Sequence, residues 1–187
     1  MANHEWGPLA GLIGSWEGSQ GLDVSFHNDA GKIAETSFHE KTTFKPFGPV
    51  ENGPQILYGL DYRTAAWRVG EEKPFHSEVG YWMWDAANKQ LMRCFMVPRA
   101  STIIAGATVE ANATKFKLEA VLGSNSYGIL SNKYLDEVAR STRFDVTVTI
   151  DGDVFSYDET TVVEHQRTNG IILHTDRNTL KRVSWDA

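Results

Sequence analysis

The feature that most restricts this 187-residue chain is a two-residue hydrophobic period, repeated in short runs. From Arg143 to Ile150, Phe144, Val146, Val148 and Ile150 alternate with Arg143, Asp145, Thr147 and Thr149. Successive side chains of a strand point to opposite faces, so this run has one face on a core and one in water. Phe116, Leu118 and Ala120 alternate with Lys115, Lys117 and Glu119 in the same way. Turn signals separate such runs. Asp151-Gly152 and Asn169-Gly170 join β-rich segments and tolerate the positive φ of tight hairpins. Further breaks fall near Gly48 to Pro54, Gly70 to Pro74, Asp85 to Asn88 and Ala111 to Thr114. About ten strands result, at the spacing of a sandwich or barrel. Only Gly7 to Ile13 and Asn132 to Ala139 read as helical turns, too little helix to cover a sheet. Closing the sheet on itself is then the way to remove its edges. The predicted fold is all-β: a single antiparallel up-and-down barrel, calycin- or lipocalin-like, with a short helical turn at its N-terminus. One domain is expected over residues 1–187, with the barrel from about 8 to 183.

Charge and composition exclude several classes of function. The net charge is −6, and the 18 basic residues are scattered, so no nucleic-acid or anionic-membrane surface is expected. Cys94 is the single cysteine, which rules out an intramolecular disulfide and a cysteine-rich zinc site. It sits in the apolar run Leu91 to Val97 and reads as packing rather than as a nucleophile. Met1 to Trp16 lacks a signal-peptide pattern, and no stretch approaches the roughly 20 apolar residues of a membrane helix. A cytoplasmic protein without membrane contact is the expectation. It would be a monomer or a homodimer, since no symmetric motif decides between them.

Two segments carry the candidate chemistry. In Phe75-His-Ser-Glu-Val-Gly-Tyr-Trp-Met-Trp84, alternation places His76, Glu78, Gly80, Trp82 and Trp84 on one face. A histidine, a carboxylate, a glycine and two indoles on one face fit a lined cavity, with Gly80 making room for a ligand or a neighbouring backbone. The competing reading is a core strand whose His76 and Glu78 satisfy each other. In the last strand, His174, Asp176, Asn178 and Leu180 share one face, while Thr175, Arg177, Thr179 and Lys181 share a solvated one. His174 is thereby turned inward, where it either ligates a metal or haem iron or forms core hydrogen bonds. His4, His27, His39 and His165 read as exposed, with His165 held as the fallback ligand.

The opening Pro8-Leu-Ala-Gly-Leu-Ile-Gly-Ser-Trp-Glu-Gly18 resembles the start of the nitrobindin-like proteins, the haem-binding barrels akin to fatty-acid-binding proteins. Gly14, Trp16 and Gly18 match their Gly-x-Trp-x-Gly-x-Gly signature. The His76-x-Glu78-x-Gly80-x-Trp82 run and the strand from His174 to Leu180-Lys-Arg are similar to two further family segments. The resemblance spans about Pro8 to Val183. It implies a ten-stranded barrel holding ferric haem b through one histidine, with nitric oxide or peroxynitrite chemistry. By position, His174 would be the axial ligand and His76 would border the pocket. The chain departs from the family at Gln20, where the third glycine belongs, and at Leu22-Asp-Val-Ser-Phe26, which replaces a Tyr-Pro-Thr element. The segment after His174 also departs, being the polar Thr175-Asp176-Arg177-Asn178. The spacing from His174 to Leu180 is one residue longer than in the family, so aligning on Leu180 gives the ligand position to Thr175 unless a bulge intervenes.

Two functions follow. The first is a haem-free carrier or sensor for a small, largely apolar molecule, lipid-like or aromatic. In it, His76, Glu78, His174, Asp176 and Arg99 would orient the ligand. The alternative is haem b binding, with His174 on the iron and Trp16, Trp82 and Met96 enclosing the porphyrin. Peroxynitrite isomerase activity is expected only with haem bound. Other enzyme classes lack their motifs: there is no paired His-x-His of a cupin, no Gly-x-Ser-x-Gly elbow and no phosphate-binding glycine loop before a helix.

Overall fold

In the computed structural model, which describes residues 4–186, the chain is one antiparallel sheet closed into a barrel. A 3-10 turn over His4–Leu12 precedes β1 (Gly14–His27), β2 (Lys32–Asn52), β3 (Gln55–Arg68), β4 (His76–Asp85), β5 (Gln90–Val97) and β6 (Ser101–Thr108). Then come β7 (Lys115–Val121), the three-residue β8 (Ile129–Ser131), a short helix α1 (Lys133–Val138), β9 (Ala139–Asp151), β10 (Val154–His165) and β11 (Gly170–Ser184). Each long strand pairs with its sequence neighbour, and β11 returns to β1, as the up-and-down reading requires. Ten strands form the ring, and β8 is a small addition on β6. Closure is weakest between β6 and β7, which meet in register only at Gly106 and Glu119.

The two helical turns lie close to their expected positions. The first plugs one end of the barrel. Its Leu9 and Leu12 are fully buried against a core that includes Trp16, Phe44, Leu60, Trp84, Leu91, Ile150 and Leu180. Arg182 of β11 ties this plug down, stacking 4.0 Å from the Trp16 ring centroid and donating to the carbonyls of Gly11 and Ile13. Each large side chain so buried contributes about 1.5–3 kcal/mol. No helix among the described residues is long and apolar enough to cross a membrane.

Register settles the last strand. From Val154↔Lys181 to His165↔Gly170, β10 and β11 pair without a shift. Period two therefore runs unbroken from Leu180 back to His174, and His174, not Thr175, faces inward. The irregularity lies in β1 instead. Glu17 pairs with Lys181 and Leu22 with Arg177, so β1 carries one residue more than its partner over that stretch, a bulge. Gly21 lies in this bulge, directly after Gln20, and a Cβ there would collide with the Phe38 ring.

Candidate functional site

Beyond the apolar plug, the inward faces change character. The inward residues of β4 are those the alternation predicts. Gly80 serves the neighbouring backbone rather than a ligand, since a Cβ there would run into the Cys94 carbonyl of β5. At the centre of the interior is Arg93, on β5. Its Nη2 donates to Glu78 Oε2 at 2.6 Å and to Tyr62 Oη at 3.0 Å, and its Nη1 donates to Glu159 Oε2 at 2.9 Å. Tyr62 Oη donates to the same Glu78 oxygen at 2.5 Å, and His76 Nε2 lies 3.0 Å from Glu78 Oε1. A second node is Glu40 of β2. Its Oε1 accepts from Thr42 and Thr64 at 3.0 and 2.8 Å, and its Oε2 from Tyr157 and Asn178 at 2.8 and 2.9 Å. At the rim, His174 Nε2 lies 2.7 Å from Asp23 Oδ2 and 3.1 Å from Asp176 Oδ2.

These contacts fix the protonation states. Burial alone would raise Glu78, but Arg93, His76 and Tyr62 outweigh it and hold the carboxyl at about 2. Burial opposes charge on His76 and His174 too, yet their carboxylate partners raise them to about 9 and about 10. Glu159 is pushed up to about 7 by burial, with Glu78 and Asp176 adding to it against the pull of Arg93. Both histidines are thus imidazolium ions at neutral pH, each facing carboxylate.

Between these groups is a cavity of about 40 Å³, lined by Phe38, Ala66, Phe75, Tyr157, Trp82 and the charged residues around Arg93. At roughly 10–15 Å³ for each water, it holds a few small polar atoms beneath a mouth that opens past the half-exposed His76. Two buried donors in its lining, Trp82 Nε1–H and Arg93 Nε–H, have no partner among the described residues.

Sequence reasoning placed His76, Glu78, Trp82 and Asp176 on this cavity, and they line it. His174 stands beside them, joined through Asp176. Trp16 is fully buried at the plugged end, its indole donating to the Leu12 carbonyl at 2.7 Å, away from the cavity. Met96 points outward and is half exposed, because Arg93 and Phe95 take the inward positions of β5. Arg99 is exposed in the turn between β5 and β6, so it orients nothing inside. His165, read as exposed, is instead buried against Phe26, with ring centroids 4.4 Å apart. His27, read as exposed, is half-buried on the inward face of β1, its Nε2 3.3 Å from the buried Thr36 hydroxyl, while His39 is half-buried on the outside and stacks on Trp67. The residues missed are Glu40, Tyr62, Arg93, Tyr157 and Glu159. Parity held a signal for each: Arg93 lies between Leu91 and Phe95, Glu40 between Phe38 and Phe44, Tyr62 in step with Leu60, and Tyr157 and Glu159 in step with Phe155.

A family model for the THAP4-like, heme-binding beta-barrel domain matches residues 5–182. The chain belongs to the THAP4-like haem-binding β-barrel family. Its expected nitrobindin-like character is thereby shown. The crystal structure of Rv2717c from M. tuberculosis shares the fold, with a TM-score of 0.64 and 23% identity over 93% of this chain and 94% of that one. No curated protein matches the chain in sequence.

Haem is the group that a THAP4-like barrel implies, and the residues of this one do not fit it. The only inward histidine of β11 has its Nε2 between two carboxylates, at 2.7 and 3.1 Å, and offers iron no lone pair.

Proposed function

We propose that the chain works as one barrel domain, a haem-free carrier or sensor that takes a small molecule into its open end. The observation that carries this reading is the commitment of His174 to Asp23 and Asp176, which removes the family's axial ligand from service. The lining supports a more polar ligand than the sequence alone suggests. It has aromatic walls, but a Glu78–Arg93–Glu159 network lies across its base. A few convergent polar groups orient a ligand, and here the part of it that enters the enclosed space of about 40 Å³ is a small group. Glu78 and Glu159, held apart at about 2 and about 7, are both engaged by Arg93, so binding rather than turnover is the proposed role. A reducing, cytoplasmic setting accords with the unpaired Cys94, whose thiol burial pushes up and makes less reactive.

A second reading, ferric haem b with peroxynitrite isomerisation, is favoured by the family match and by the inward parity of His174. Non-denaturing mass spectrometry of the purified chain separates the two. A bound species lighter than a porphyrin is expected; a haem adduct would overturn the haem-free reading.

A further inference from the structure

We propose that the enclosed space inside the open end seats an uncharged carbonyl group, the ketone or amide head of a ligand. This rests on the haem-free reading and names the head group that such a ligand carries inward. Two donors in the cavity wall call for an acceptor. Trp82 and Arg93 are 3% and 5% exposed and line the space, yet Trp82 Nε1–H and Arg93 Nε–H have no partner among the described residues. The Arg93 guanidinium carbon lies 5.5 Å from the Trp82 ring centroid, so the two side chains stand side by side. Buried donors left unmet are costly, and a carbonyl oxygen has two lone pairs with which to accept from both.

The other polar groups of the lining are matched to one another. Tyr62 donates to Glu78, while Thr42, Thr64 and Tyr157 donate to Glu40. Arg93 commits both Nη atoms to Glu78, Tyr62 and Glu159, and His76 turns its Nε2 to Glu78. An anionic head therefore finds no unpaired cation. Glu159 reports what a carboxyl meets in this space. With Arg93 at 2.9 Å, burial together with Glu78 and Asp176 still pushes it up to about 7. A ligand carboxylate would meet the same burial and the same neighbours without an arginine of its own. Burial raises Asp176 as well, and in their neutral forms both carboxyls are donors. A cationic head fares no better, because a group that only donates leaves the two N–H groups unmet.

Size points to the same class. A space of about 40 Å³, at roughly 10–15 Å³ for each water, suits a group of about three or four non-hydrogen atoms. The remainder of the ligand has apolar surface at the mouth. There Ala66 pairs with the half-exposed His76, and Phe75 meets the Phe38 ring edge-on at 5.8 Å.

The test uses planar probes of one size and shape: acetone, acetamide, acetate and acetamidinium. Each is titrated into the intact chain at neutral pH and followed by nitrogen–proton correlation NMR at the Trp82 indole, assigned with Trp82→Phe. The indoles of Trp6 and Trp16, which already donate to the carbonyls of Gly59 and Leu12, serve as controls. Acetone and acetamide are expected to move the Trp82 proton downfield and to saturate at roughly millimolar concentration, within reach of so small a group. Acetate is expected to bind about tenfold more weakly, and acetamidinium to leave the signal in place. Glu159→Gln is expected to raise acetate binding several-fold relative to acetone. In Trp82→Phe, read at the Arg93 Nε–H, acetone is expected to bind several-fold more weakly. Carbonyl probes that leave the Trp82 proton unmoved would overturn the proposal, water then being what serves these donors. Acetate or acetamidinium binding as tightly as acetone would overturn the uncharged class and leave the haem-free reading standing. A porphyrin carried by the purified chain would overturn that reading itself.

Discussion

Strand β1 begins among leucines and tryptophans and ends among carboxylates. Trp16, near its start, is fully buried beneath Leu9 and Leu12, while Asp23, near its end, holds His174 at 2.7 Å. Strand β4 has the same polarity in reverse, running from His76 and Glu78 to Trp84, and so has β11, from His174 and Asp176 to Leu180. The two ends therefore share one set of strands and one alternation, yet are held by different physics. At the plugged end, apolar side chains contribute by area, and each is largely independent of distant ones. In the open end, Arg93, Glu78, Tyr62, His76 and Glu159 depend on one another, and removing one strands the rest. Buried ion pairs are weak evidence for stability, because desolvation offsets much of the attraction. The comparison thus points to a plug that supplies stability and a charged network that supplies selectivity.

The sharpest break between the ends is Glu78→Ala, which leaves the Arg93 guanidinium buried with Glu159 alone. A loss of about 3–5 kcal/mol is expected by chemical denaturation. Replacing Arg93 by Met in the same chain should restore a large part of it, a coupling that no distant pair at the plugged end should show. Leu12→Ala, at the plug, should cost about 2–5 kcal/mol and add simply to Glu78→Ala. Glu40→Gln is milder. It keeps the shape but turns an acceptor toward donors into a donor, at about 1–3 kcal/mol.

The pH dependence is gentlest and separates the ends without mutation. Glu78, held at about 2 in the fold against an ordinary 4.5, contributes stability that is present above pH 4.5 and lost as pH falls toward 2. His76 and His174, raised from 6.5 to about 9 and about 10, contribute stability that is full below pH 6.5 and lost as pH rises through those values. Glu159, at about 7 instead of 4.5, favours its protonated form and adds to the decline between those values. Thermal melting should therefore be highest at mildly acidic pH. His174→Gln should flatten the alkaline limb and also weaken the acid limb, because burial opposes the charge of Asp23 and His174 helps to hold its carboxyl below the ordinary value.

The barrel was legible in the sequence because period two is a local property. Arg143 to Ile150 shows its faces without reference to any partner, and so do His76 to Trp84 and His174 to Leu180. The network was less legible because it joins residues far apart in the chain: Glu40 to Tyr157 and Asn178, and Arg93 to Glu159. A lone Glu or Arg within an amphipathic run reads as solvated unless its parity is checked against its neighbours. Met96 and Arg99 were placed inside for their chemistry, although Phe95 already held the inward position. Gly80 could be assigned to close approach, but only the pairing of β4 with β5 shows that the neighbour is backbone.

The measurement that bears most directly on the account is a haemin titration of the intact chain, followed at the Soret band beside Asp23→Asn/Asp176→Asn and His174→Ala. With His174 held as an imidazolium by its two carboxylates, the native chain should give no saturable Soret shift. The double variant, whose histidine is released, should gain one that the native chain lacks. A stoichiometric Soret shift in the native chain, abolished by His174→Ala, would contradict the account.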